Sequence, residues 1–406
     1  MSKTFDVISP IDGSIYLSRT YADQSLIEKI LEQSKKVSSS WRTTSISERA
    51  KFCSSAVDYL VNHADEIGRE ITMQMGRPIQ YTAKEITSGL KERADYMIKI
   101  AEDALRNIDI DPRRYIKKEP LGTVMVLAPW NYPFLTSVNA IIPALMAGNS
   151  VILKHSDQTP LTSERYQQAF DHVNLPQGVF QYLHINHDQV AEIIKDSRIN
   201  YVAFTGSVEG GHAIQNAIKH KFINAGLELG GKDAAYVRKD AKINKTVEHL
   251  VDGAFFNSGQ SCCGIERIYV NEEVYDQFVK EFIELTSRYK MSNPLNNSTQ
   301  IGPMVRDSSA DKIKKLIDDA EVAGAVRRIN KTLDNKGAYL YPEVLTDVTH
   351  EMQIMREETF GPVVGIMKVS SDSRAIELIN DSKYGLTASI WTNDHDKAQE
   401  IGELLE

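Results

Sequence analysis

Apolar positions in the first hundred residues recur at helical spacing. Ile27, Ile30, Leu31 and Val37 fall roughly on one face, and Phe52, Ala56 and Leu60 mark a second run; this rhythm is that of amphipathic helices. Ser45 and Glu48 stand as a capping box ahead of the second run, and Gly76 followed by Arg77-Pro78 supplies a stop. An all-helical opening is therefore predicted. A polar, strand-prone stretch from Asp109 to Glu119 then predicts an exposed hairpin.

From Gly122 the pattern changes. Thr123 to Ala128 is a short, nearly continuous apolar run, as expected of a strand covered on both faces. Val138 to Met146 predicts a helix closed by Gly148-Asn149, and Ser150 to Leu153 a second buried strand. A helix carrying Tyr166 and Phe170 leads to a strand at Val179-Phe180, and Tyr201 to Phe204 predicts another. Strands alternating with helices at this spacing predict a parallel α/β sheet with ligands beyond the strand ends. A second α/β block follows Glu228, with helices over Val247–Phe256 and Val274–Leu285 and a strand at Ile268–Val270 between them. No internal repeat or low-complexity tract interrupts the chain.

With 406 residues, two or three domains are expected. The net charge of −8 and the lack of a long basic run argue against binding a phosphate backbone. The densest basic cluster, Arg113, Arg114, Lys117 and Lys118, reads as a solvated turn. The N-terminus carries no apolar leader segment, and no stretch approaches the ~18 apolar residues of a membrane helix. The three cysteines, Cys53, Cys262 and Cys263, make neither a disulfide framework nor a zinc site. A reducing, cytoplasmic setting is expected, with no nucleic-acid or membrane partner and no metal.

Three segments carry candidate chemistry. In Phe256-Asn257-Ser258-Gly259-Gln260-Ser261-Cys262-Cys263, Cys262 follows a Gly-rich turn between a helix and a strand, where a thiolate can meet a ligand. The plain alternative is a small buried hydrophobe. In Leu227-Glu228-Leu229-Gly230-Gly231-Lys232, flanking leucines predict a partly buried Glu228 with a raised pKa, suited to a general base; a solvated helix-end glutamate is the alternative. In Ala128-Pro129-Trp130-Asn131-Tyr132-Pro133, the Asn131 amide can donate to a developing oxyanion, or simply form a turn between prolines.

In order, content and spacing these segments resemble the aldehyde dehydrogenase superfamily. Glu228 stands 34 residues before Cys262, the separation that resemblance implies. Phe204-Thr205-Gly206-Ser207, Ile301-Gly302-Pro303, Glu357-Glu358-Thr359-Phe360-Gly361-Pro362-Val363 and Tyr384-Gly385-Leu386 extend the match along essentially the whole chain. The resemblance implies a non-acylating, NAD(P)-dependent enzyme, semialdehyde-dehydrogenase-like, that oxidises an aldehyde to a carboxylate. Cys262 corresponds to the nucleophile, Asn131 to the oxyanion donor and Glu228 to the base that activates water for thioester hydrolysis. On the cofactor side it implies Trp130, Lys154, Asp157, Gly206, Ser207, Leu229, Glu358 and Phe360. The cofactor is NAD, with NADP possible; no G-x-G-x-x-G fingerprint occurs. The fold implied is α/β: a Rossmann-like cofactor domain over residues 1–103 and 121–228, an oligomerisation hairpin over 104–120, and an α/β catalytic domain over 229–406.

The sequence departs from the family pattern in places. Lys154-His155-Ser156-Asp157 replaces the commoner Lys-Pro-Ser/Ala-Glu and shortens the carboxylate by one methylene. Gln181-Tyr182-Leu183-His184-Ile185 lacks a glycine often present there, so a tighter adenine-side wall is expected. Packing is the expected role of Cys263. Ala398, Ile401, Leu404 and Leu405 form an apolar helical face at the end of the chain, which predicts that the intact protein continues and that a homodimer or homotetramer needs the continuation. The rival readings are a CoA-acylating semialdehyde dehydrogenase, which the presence of Glu228 disfavours, and a non-catalytic protein of the same fold, which intact Cys262, Glu228 and Asn131 disfavour.

Overall fold

The chain opens with a β-hairpin rather than a helix. Strands Thr4–Ile8 and Ile15–Thr20 pair antiparallel. The ring of Phe5 stacks on Tyr21 at 4.7 Å. Helical periodicity could not reveal this hairpin, because its strands are only five and six residues long and bury one face. The computed structural model describes residues 3–331 and 337–406. The domain ranges expected above also take in residues 1–2 and 332–336, which lie outside the described residues.

Two compact units divide the chain. One comprises Met1–Ser9, Ser14–Met75 and Ile79–Leu229; the other comprises Pro10–Gly13, Gly76–Pro78 and Gly230–Glu406.

The first unit is built on a five-stranded parallel sheet in the order Phe180–Tyr182, Ser150–His155, Thr123–Ala128, Ile199–Thr205, Asn224–Glu228. Thr123–Ala128 and Ser150–His155 are buried at every position; the nearly continuous apolar run predicts this for the first, whereas the second also buries Ser150, Lys154 and His155. Ile27, Ile30 and Leu31 of helix Gln24–Trp41 join Met125, Leu127, Ile152 and Val202 in one core. Ser45 caps helix Ile46–Asn62 by accepting from the Glu48 N–H at 3.1 Å. Helix Ala64–Met75 ends at Gly76, whose φ of +83° only glycine adopts without strain. The expected hairpin is present as strands Ile108–Asp111 and Arg114–Ile116, exposed at every residue. Arg114 binds Asp111 and Lys117 binds Glu119 there, so the basic cluster is a solvated surface.

Topology positions the functional end of this sheet. The chain runs outward from Thr123–Ala128 through Ser150–His155 to Phe180–Tyr182, then returns to place Ile199–Thr205 on the other side of the first strand. In open α/β sheets ligands bind beyond the carboxyl ends at the point where the winding reverses. The segments after Ala128 and after Thr205 flank that switch point.

The second unit contains a six-stranded sheet in the order Val326–Arg327, Glu343–Thr346, Val363–Val369, Ile265–Asn271, Asp233–Val237, Ala388–Trp391. Only its Val326–Arg327 edge is antiparallel. Alternate side chains face opposite layers, as strand geometry requires. Ala234, Tyr236 and Tyr269 pack with Ile313, Ile317 and Leu378 on one face. Ala235, Val237, Ile268 and Val270 pack with Val247, Leu250, Phe278 and Phe282 on the other. No helix among the described residues is long and apolar enough to cross a membrane.

Candidate active site

Cys262 sits in a turn just before strand Ile265–Asn271. Three consecutive residues leading to it are left-handed: Asn257 (φ 55°), Ser258 (φ 57°) and Gly259 (φ 68°). Each non-glycine residue in that region costs roughly 1–2 kcal/mol, so side chains must hold the loop. Arg77 Nε donates to Asn257 Oδ1 at 3.1 Å, and Ser258 Oγ donates to the Gly302 carbonyl at 2.9 Å. Gln260 Nε2 donates to the Asn257 carbonyl at 3.1 Å, while its Oε1 accepts from the Val305 N–H at 2.8 Å. Asn257, Ser258 and Gln260 are all buried. A Cβ on Gly259 would lie 2.2 Å from the Gly361 carbonyl oxygen, so glycine is required by contact as well as by φ.

This loop gathers the neighbouring motifs of the second unit. A Cβ on Gly231 would stand 2.8 Å from the Cys262 carbonyl oxygen, and one on Gly230 would stand 2.3 Å from Glu358 Oε1. The paired glycines thus let one backbone segment pass close to both Cys262 and Glu358. Cys262 is half-buried and Cys263 exposed. The hydrogen-bonded Cys263 thiol and partial burial hold the Cys262 thiol above the ordinary cysteine value. The resting group is therefore a thiol.

Glu358 and Phe360 lie on a strained connection, with Phe360 at φ 51°. Glu266 holds it: Oε2 accepts from the Thr359 N–H and Oε1 from the Phe360 N–H, each at 2.9 Å. Lys232 Nζ, fully buried, donates to Glu266 Oε2 at 2.8 Å. Burial, and then the charge of Glu266, push the Glu358 carboxyl up to about 7.

In the first unit, Trp130 and Asn131 follow strand Thr123–Ala128 after Pro129, and Asn131 is only 4% exposed. Buried Glu85 anchors the next turn: its Oε1 accepts from the N–H groups of Phe134 and Leu135 at 2.8 and 2.9 Å. These are free amides of the first turn of helix Pro133–Met146, where a carboxylate is favoured. Gly206 and Ser207 follow strand Ile199–Thr205, and Ser207 caps helix Val208–Ile218 by accepting from the Gly210 N–H at 3.1 Å. The Gly206 N–H donates to the Glu228 carbonyl at 2.9 Å. A Cβ on Gly211 would be 2.8 Å from Leu229 Cδ2.

Glu228 corrects an expectation. Its side chain, at the end of strand Asn224–Glu228, is exposed as in the solvated alternative and not partly buried by the flanking leucines. Leu227, the preceding strand residue, points to the opposite face, and Leu229 lies beyond the strand.

Lys154, in contrast, is buried at the end of strand Ser150–His155, and its Nζ donates to Asp157 Oδ1 at 2.9 Å. His155 replaces a proline without loosening the turn. It is buried, with Nε2 3.2 Å from the Pro133 carbonyl and Nδ1 3.0 Å from Thr159 Oγ1. Burial pushes its pKa down to about 3, so it stays neutral.

The expected site residues therefore fall into two sets. Trp130, Asn131, Lys154, Asp157, Gly206, Ser207, Glu228 and Leu229 belong to the first unit; Cys262, Glu358 and Phe360 belong to the second. Sequence reasoning missed Glu85, Glu266 and Tyr21. Glu266-Arg267 inside an otherwise apolar strand was a readable signal; a glutamate in a helix was none.

Comparison with known proteins bears on this arrangement. A family model described as "Aldehyde dehydrogenase family" matches residues 1–406. An aldehyde dehydrogenase of Paenarthrobacter nicotinovorans is 34% identical over 411 residues, spanning 100% of this chain and 87% of that protein. A succinate-semialdehyde dehydrogenase [NADP(+)] of Mycobacterium avium is 31% identical, spanning 98% of this chain and 86% of its own. The crystal structure of NADP-dependent glyceraldehyde-3-phosphate dehydrogenase from Bacillus halodurans, complexed with NADP, superposes with a TM-score of 0.93 at 31% identity, covering 100% of this chain and 86% of that one.

Proposed function

The chain belongs to the aldehyde dehydrogenase family and is an NAD(P)-dependent aldehyde dehydrogenase, and on that premise we propose that it works through a covalent adduct on Cys262. The observation that carries this reading is the Cys262 loop. Three successive left-handed residues, locked by Arg77, Gly302 and Val305, present a half-buried cysteine in a turn. A cysteine kept only for packing needs no such construction.

The cofactor fits the residues present. Ser207 and the first turn of helix Val208–Ile218 offer backbone donors at the sheet switch point, suited to a pyrophosphate. Lys154 and Asp157 suit the adenosine ribose, and Trp130 and Leu229 are further cofactor-side positions that the family resemblance implies. Glu358 and Phe360 suit the nicotinamide ribose and ring. When bound, the nicotinamide accepts a hydride.

The protein's own groups do the rest. Cys262 loses its proton to water, and its sulfur attacks the aldehyde carbon, forming the C–S bond of a thiohemiacetal as the C=O π pair moves to oxygen. The Asn131 amide and the Cys262 N–H donate to the resulting oxyanion. Loss of hydride from that carbon leaves a thioester on Cys262. Glu228 takes a proton from water, hydroxide adds to the thioester carbonyl, and the C–S bond breaks to release thiolate and the carboxylic acid, which ionises to carboxylate in water. The exposed Glu228 side chain supports hydrolysis, because solvent reaches it.

The test is a pair of variants assayed with an aldehyde panel that includes succinate semialdehyde, using both cofactors. Cys262→Ala should abolish oxidation, while Cys263→Ala keeps most of it. The reverse pattern would reassign the nucleophile.

A further inference from the structure

Asp157 is occupied from a direction that the cofactor motif does not predict. Its Oδ1 accepts from Lys154, and its Oδ2 accepts from the Tyr21 hydroxyl at 2.7 Å. Tyr21 directly follows strand Ile15–Thr20, far from Asp157 in sequence. Its position is over-determined. Its ring stacks on Phe5 at 4.7 Å, and its N–H donates to the Lys3 carbonyl at 2.9 Å. Phe5 packs edge-on against His184, whose Nε2 is bonded to Glu164 Oε1 at 3.0 Å, and Glu164 also accepts from Arg19. Burial and the neighbouring Asp157 push the phenol far above its ordinary value, so it remains a donor.

We propose that Tyr21 is a cofactor-selectivity residue, which weakens the preference of Asp157 for a free adenosine ribose over a 2′-phosphorylated one. This rests on the cofactor reading of Lys154 and Asp157. The side chain of Asp157 is 35% exposed and that of Lys154 only 9%, so the carboxylate is the accessible member of the pair. A free carboxylate accepts hydrogen bonds from the two ribose hydroxyls and repels a phosphate. Here each oxygen already accepts one hydrogen bond, and the Lys154 charge is balanced against the same group. The Tyr21 hydroxyl also holds the short aspartate toward the hairpin. Both effects lower the acceptor strength offered to a ribose and reduce the repulsion of a 2′-phosphate, which makes a dual-cofactor site.

The experiment measures dissociation constants of NAD and NADP directly, by titration calorimetry, for the whole chain and for Tyr21→Phe, Asp157→Asn and the double variant. Tyr21→Phe keeps the stack on Phe5 and removes one oxygen, so the fold should survive. One hydrogen bond's worth of acceptor strength corresponds to about three- to tenfold in affinity. Tyr21→Phe should therefore raise the ratio of the NADP to the NAD dissociation constant about three- to tenfold. Asp157→Asn should lower the ratio, and Tyr21→Phe should have no effect in that background. A ratio unchanged by Tyr21→Phe while Asp157→Asn shifts it would overturn the proposal and leave the cofactor reading intact. A ratio unmoved by either variant, or a chain that binds neither cofactor, would overturn both.

Discussion

Removing the Glu266 carboxylate should be among the most damaging single changes away from Cys262. In Glu266→Ala the Lys232 ammonium, with no exposed side-chain surface, loses its partner at 2.8 Å. The N–H groups of Thr359 and Phe360 lose their acceptor as well. Breaking a buried ion pair from one side costs about 3–5 kcal/mol. Each stranded buried donor adds roughly 1–3 kcal/mol, offset where water enters the space vacated. Burial already pushes the Lys232 pKa down, and Glu266 is the main opposing influence. Part of the cost is therefore relieved by deprotonation at high pH. A net loss of about 3–5 kcal/mol is expected, read from the denaturant transition of the second unit. Glu266→Gln, which keeps an acceptor but not the charge, should lose less. Adding Lys232→Met to Glu266→Gln should recover part of the loss. A loss below about 1 kcal/mol for Glu266→Ala, or no recovery in the double variant, would show that the pair does not hold the Glu358–Phe360 connection as argued.

Two further outcomes are expected. In Glu228→Gln, hydride transfer should outrun thioester hydrolysis, giving a rapid burst near one equivalent of reduced cofactor before slow turnover; unchanged steady-state turnover in stopped-flow measurements would remove Glu228 as the base. Glu358 is raised from the ordinary carboxylate range to about 7, so the folded chain holds its proton more tightly than the unfolded chain does. The stabilisation from that proton is complete below the unfolded value and lost as pH rises through the folded one. Melting temperatures measured from pH 5 to 8 should thus show the wild type losing stability relative to Glu358→Gln, and parallel curves would refute the shift.

The strongest features of this protein were local, and local features are legible in sequence. Val124–Ala128 and Val151–Leu153 are apolar runs because both faces are covered, and a run of that kind can be recognised without its neighbours. Gly259, Gly230 and Gly231 are legible as glycines in a motif. What each must avoid, the Gly361 carbonyl, the Glu358 carboxylate and the Cys262 carbonyl, is contributed by segments distant along the chain. The N-terminal hairpin escaped because short strands buried on one side carry little periodic signal. Flanking leucines in the sequence predict cover for Glu228, whereas strand geometry sends Leu227 to the other face. The partners of Glu85, Glu266 and Asp157 escaped for a related reason. A buried carboxylate is defined by what donates to it: Phe134 and Leu135, Lys232, or Tyr21, each at least 34 residues away. Residue type and spacing determined which chemistry the chain can carry. Only the folded chain decided which charges are paired, because desolvation and hydrogen bonding act between segments that folding brings together.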